Sequence, residues 1–85
     1  MIEHSYKITD PNGMHAIPAG LLVNLAGNYQ SDISIEKGQR TANIKQIINL
    51  MNLAIKHGDE ITIRVDGTDE NDAMEKVFSF FKENL

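Results

Sequence analysis

The sequence predicts an α+β fold: a βαββαβα open-faced two-layer sandwich, its four-stranded antiparallel sheet carrying three helices on one face. Three observations carry this prediction. Four short segments alternate bulky apolar and polar residues at period two. Three longer segments place apolar residues at helical spacing. Breaks rich in Gly, Pro, Asn and Asp separate them.

Residues 2–9 set Ile2, His4, Tyr6 and Ile8 against Glu3, Ser5, Lys7 and Thr9, the pattern of a half-buried strand. Asp10-Pro11-Asn12-Gly13 is a turn, with Gly13 free to take a positive φ. A helix is expected from Ala16 to Asn28. Pro18 suits its first turn, Leu21, Leu22, Leu25 and Ala26 form an apolar stripe, and Gly27-Asn28 stops it. Gly20 inside that helix points to a close approach, since Gly costs about 1 kcal/mol relative to Ala there. Ile33 to Glu36 and Arg40 to Ala42 make a short hairpin through Lys37-Gly38-Gln39. Asn43 is placed to cap a helix from Ile44 to Ala54, which His57-Gly58-Asp59 breaks. Glu60 to Asp66 alternates again. Asp69 then reads as the N-cap of the last helix, with Glu70 and Asp72 at its positive end. Ala73, Val77, Phe80 and Phe81, flanked by Met74 and Phe78, form its buried face.

The 85 residues amount to one domain, residues 1–85, too small for a deep enclosed cavity, so any chemistry belongs near the surface. Hydrophobic residues make up 41% and charged residues 24%, a globular composition. A net charge of -4 argues against nucleic-acid partners, whose phosphates demand a basic footprint. The absence of cysteine excludes a disulfide scaffold, a thiolate metal site and a Cys nucleophile. No signal-peptide pattern opens the chain, and no apolar run approaches the ~20 residues of a membrane span, so a cytoplasmic protein without membrane insertion is expected. No cofactor or metal is expected. Asp66, Asp69, Glu70 and Asp72 lack the ligand series of a calcium loop and read as helix capping. His4 and His57 read as structural or solvated.

His15 stands out by position. It follows a Gly turn and directly precedes a helix start, where unpaired N–H groups and the positive end of the macrodipole gather. Pro18 offers no donor, which leaves the N–H groups of Ala16, Ile17 and Ala19 to hold an anion. The same field favours an uncharged, nucleophilic imidazole able to accept a phosphoryl group. Position alone still favours a plain surface histidine.

The segment Pro11-Asn12-Gly13-Met14-His15-Ala16-Ile17-Pro18-Ala19 shifts that balance. It resembles the active-site segment of the HPr family, the histidine phosphocarriers of the bacterial phosphoenolpyruvate–sugar phosphotransferase system. Asn43 to Leu53 resembles the family's second-helix segment, and Gly58 to Ala73 its last strand and the start of its last helix. The resemblance implies the open-faced sandwich. It also implies that His15 is phosphorylated on Nδ1 by enzyme I and passes the group to sugar permease A-domains, with backbone N–H groups of Ala16, Ile17 and Ala19 holding the phosphate. Such a chain is a relay intermediate and not a turnover enzyme by itself.

Two departures from the family pattern stand out. Ile17 replaces the usual Arg, which answers the phosphoryl charge; Lys45 or an Arg of a partner is the candidate substitute. Gln46 occupies a position where many relatives carry a regulatory Ser, and it has no hydroxyl to phosphorylate. The second helix carries more apolar residues than a sheet can bury. Ile44, Leu50 and Leu53 are assigned to the core. Ile47, Ile48 and Met51, with Ile17 and Gly20, are assigned to partner docking, where Met repacks readily. The alternative is an HPr-like regulatory module in which phosphotransfer is reduced or lost because of Ile17, and the apolar patch binds a transcriptional regulator or an enzyme.

Overall fold

The computed structural model describes residues 1–85. Its elements run β1 (Ile2–Lys7), α1 (Ala16–Ala26), β2 (Asp32–Lys37), β3 (Arg40–Asn43), α2 (Ile47–Asn52), β4 (Glu60–Asp66) and α3 (Glu70–Asn84). The four strands form one sheet in the order β1-β4-β2-β3, antiparallel throughout. This is the expected α+β sandwich.

Strand alternation separates the two faces. Ile33 faces Val65, and Ile35 lies between Ile63 and Ala42; all are buried. On the other face the Arg64 guanidinium bridges Glu36 at 3.0 Å and Glu3 at 2.9 Å. Those two carboxylates hold the guanidinium's pKa further above its ordinary value. α1 contributes Ala19, Leu22 and Ala26 to the core, and α3 contributes Ala73, Met74, Val77 and Phe81. Met74 therefore takes the place expected for Phe80, which is half-buried and edge-on to Phe81. His4 points to the inner side of the edge strand β1, where its ring packs edge-on against Phe78 at 5.0 Å.

Several boundaries differ from the sequence expectation. β1 stops at Lys7 rather than Thr9. Ile8 is buried beyond it, exchanging backbone bonds with Asp59 and Gly58, and the N–H groups of Thr9 and Asp10 turn to Leu85 O. α1 ends at Ala26, two residues early. α2 is shorter than the expected Ile44–Ala54. Asn43 does not cap it: Asn43 Oδ1 accepts the Lys45 N–H at 2.9 Å and its carbonyl accepts the Gln46 N–H, a local turn that delays the helix to Ile47. Asp69 stands at the N-cap of α3, but its side chain caps nothing there. Its carboxylate accepts the N–H groups of Gln30 at 2.9 Å and Ser31 at 3.0 Å, and the Ser31 hydroxyl. Gly67 makes this tie possible. Its φ is +157°, and a Cβ there would stand 2.6 Å from Ser31 Cα.

Candidate functional site

The loop before α1 is built from short-range bonds. Asp10 Oδ2 accepts the Asn12 N–H at 2.9 Å, and Asp10 O accepts the Gly13 N–H at 3.1 Å. Gly13 has φ +62°, and a Cβ on it would sit 2.6 Å from Ile55 O, so only glycine fits this close approach. The Met14 N–H then donates to Ile55 O at 3.0 Å, and the Met14 side chain is buried. With Met14 anchored inward, His15 emerges exposed as the N-cap of α1.

His15 caps the helix only through its backbone, its carbonyl accepting the Ala19 N–H at 3.0 Å. Its imidazole makes no cap hydrogen bond. The N–H groups of Ala16 and Ile17 have no partner, and both residues are exposed. Pro18 brings no donor. Ala19 is a correction to the expected donor set, because its buried N–H is already spent on His15 O. Two open donors and a free imidazole thus share one helix start, an arrangement suited to an anion carried on the ring.

Lys45 does not join them. Its ammonium donates to Tyr29 O at 2.7 Å, just past the C-terminal end of α1. That lies about 16 Å along the helix axis from His15. The same bond fixes how the helices lie. The start of α2 meets the end of α1, while Ile55, after α2, meets Met14 before α1. The two helices are therefore antiparallel, and the C-terminal half of α2 flanks the His15 end of α1.

Their outer surfaces are apolar. Ile17 is 72% exposed, Ile48 70% and Ile47 39%, while Met51 is half-buried. Ile44, Leu50 and Leu53 are buried. Leu21, expected in the buried stripe, is 53% exposed and belongs to this surface instead. It lies one turn beyond Ile17 on the same helix face, a spacing visible in the sequence. Asn24, the one polar side chain of α1, is exposed on the same face three residues on, and it is the signal that marks the outward side. Nothing approaches Gly20 within the chain: a Cβ there would meet no atom within 4 Å. Gln46 is exposed at the N-cap of α2, and its side-chain oxygen accepts from the Asn49 amide.

The largest concavity lies elsewhere, about 380 Å³ between β1 and α3, floored by Ile2, Met74 and Phe78. No residue of the His15 surface borders it. The candidate site is an open face, not a pocket.

A family model described as the PTS HPr component phosphorylation site matches residues 2–83. A phosphocarrier protein HPr of Mycoplasma capricolum is 42% identical over 77 residues, which span 91% of this chain and 86% of that one. A solved mycoplasma histidine-containing phosphocarrier protein matches with a TM-score of 0.93 at 38% identity, covering 96% of this chain and 93% of that one. The phosphocarrier protein HPr of Bacillus anthracis matches with a TM-score of 0.88 at 36% identity, covering 94% and 95%.

Proposed function

The chain belongs to the HPr phosphocarrier family of the phosphotransferase system, and on that premise we propose that it relays a phosphoryl group from enzyme I, charged by phosphoenolpyruvate, through His15 to sugar permease A-domains. One observation carries the assignment to His15: an exposed imidazole that caps nothing, beside two N–H groups that bind nothing. His15 Nδ1 attacks phosphorus as the bond from phosphorus to the donor breaks, and the electron pair of that bond leaves with the donor. The N–H groups of Ala16 and Ile17 take up charge on the phosphoryl oxygens. The step then runs in reverse toward the acceptor.

Ile17, Gly20, Leu21, Ile47, Ile48 and Met51 form the docking face in this reading. The exposure of Ile17, Leu21, Ile47 and Ile48 supports it, since a monomer gains nothing from leaving such side chains in water. A relay also needs partners to leave quickly, and an open face with no enclosing walls serves that need. Gln46 removes the hydroxyl through which a kinase would act at this position. Cytoplasmic action follows from the partners proposed; no helix is long and apolar enough to cross a membrane.

The second reading is a regulatory binding module of the same fold. Ile17 favours it, because the position beside the open donors carries neither charge nor a hydrogen-bonding group. The two readings part in one experiment. The chain and its His15→Ala variant are incubated with phosphoenolpyruvate, magnesium and cognate enzyme I, and the intact mass is followed. An acid-labile phosphoryl adduct on the wild type alone is expected. A folded wild type that gains none would overturn the relay and leave the binding module.

A further inference from the structure

We propose that the ammonium of Lys56 is the counter-charge to the phosphoryl group on His15. The inference rests on the relay reading above. A phosphoryl group brings between one and two negative charges, roughly. The start of α1 offers it two N–H donors but no cation, since Ile17 is apolar.

Most of the chain's cations are already engaged. Lys37 pairs with Asp59 at 2.9 Å, and Arg64 with Glu3 and Glu36. Arg40 donates to Asn52 O and Lys45 to Tyr29 O, each at 2.7 Å. Lys82 lies over the Phe78 ring. Lys7, Lys56 and Lys76 have no such partner. Lys7 stands opposite Glu60 on the outer sheet face, and Lys76 is exposed on α3. Lys56 alone of the three belongs to the segment that holds the His15 loop in place.

The hold is tight. A Cβ on Gly13 would stand 2.8 Å from Lys56 Cα, and the Met14 N–H is bonded to Ile55 O. Residues 13 and 56 therefore have their Cα atoms within about 4–5 Å, and two further residues bring the chain to His15. Lys56 Cα is thus no more than about 12 Å from His15 Cα. An extended lysine covers about 6 Å, and a phosphoryl-bearing imidazole reaches about 6 Å toward it.

The neighbouring acids form no ion pair with Lys56, although its charge is felt by Asp59, whose carboxyl is held below its ordinary pKa first by Lys37 and more weakly by Lys56. Asp59 Oδ2 accepts the Lys56 N–H at 2.8 Å and pairs with the Lys37 ammonium. Asp10 turns its carboxylate to the Asn12 N–H. Lys56 is exposed and its ammonium is free to swing. No proton moves in this role. Lys56 remains an ammonium while the bond to Nδ1 forms and the bond to the donor breaks, and it attracts the phosphoryl oxygens during transfer and afterwards.

The test compares wild type with Lys56→Gln, Lys56→Arg and Lys76→Gln. It uses phosphoenolpyruvate and enzyme I, with the rate of adduct formation read by mass and the phosphoryl titration by phosphorus NMR. Lys56→Gln is expected to slow adduct formation about five- to tenfold, the worth of one partly solvated charge-assisted contact. It should also move the phosphoryl titration to higher pH, which a merely structural role would not do. Lys56→Arg should retain the wild-type rate, and Lys76→Gln should match wild type at equal net charge change. An unchanged rate and titration in Lys56→Gln, or equal slowing by Lys76→Gln, would overturn the role of Lys56 and leave the relay standing. No adduct on the wild type would overturn both.

Discussion

His15 occupies a helix N-cap that its side chain does not serve. Ser, Asp or Asn at such a position would accept the Ile17 N–H, and their absence forgoes about 1 kcal/mol. His15→Asn is therefore expected to raise stability by about 1 kcal/mol, a midpoint shift of roughly 4–8 °C for a domain this size. The same variant should accept no phosphoryl group. Thermal unfolding followed by circular dichroism checks the first part, and intact mass the second. A melting point below wild type would mean the imidazole stabilises the helix start in some other way. Residue by residue, the sequence was most legible where a side chain has one plausible environment. His15 after a Gly turn, and a core of Ile44, Leu50 and Leu53, could be read without coordinates. Leu21 was misassigned because its apolar character outweighed the one polar marker of α1, Asn24, which lies three residues on along the same exposed face. Ala19 and Lys45 failed for different reasons. The Ala19 N–H is spent on His15 O by the ordinary i→i−4 rule of a helix that starts at Ala16, whereas the Tyr29 O partner of Lys45 lies too far along the chain for spacing to reveal.

At the scale of elements, local polar bonds moved the boundaries that hydrophobic period had set. The Asn43 turn removed three residues from the start of α2, and the long-range tie of Asp69 to Ser31 replaced the expected cap of α3. That tie joins the start of α3 to the start of β2, 38 residues apart in sequence. The Ser31 hydroxyl first, and then the Gln30 N–H, hold the Asp69 carboxyl below its ordinary pKa. A folded-state pKa below the unfolded value means that the folded protein prefers the carboxylate. This contribution to stability is present above about pH 4 and is lost as pH falls through the lowered value. Asp69→Asn should be less stable than wild type near pH 7, with the gap closing toward about pH 3. Urea midpoints measured across that range decide it. A gap that stays constant with pH would mean the ionised carboxylate is not what ties α3 to β2.

Over the whole molecule, charge and apolar surface are segregated. Neither α1 nor α2 contains a charged residue. The acids and bases collect on the outer sheet face, in the turns and along α3, where Glu70, Asp72, Glu75, Lys76, Lys82 and Glu83 lie. The net charge of -4 therefore belongs to surfaces other than the proposed docking face. Docking through Ile17, Leu21, Ile47 and Ile48 draws on apolar burial, which salt does not screen. Charge-steered association, in contrast, weakens steeply as the screening length shrinks. Binding of the unphosphorylated chain to enzyme I, titrated calorimetrically, should change less than about twofold between about 0.05 and 0.5 M sodium chloride. It should also carry a negative heat-capacity change, the mark of buried apolar surface. Ile48→Glu should weaken it about tenfold or more, because the most exposed apolar side chain of α2 would bring a charge into the contact. Affinity that falls steeply with salt while Ile48→Glu binds normally would place the contact on the charged surfaces and remove α1 and α2 from it.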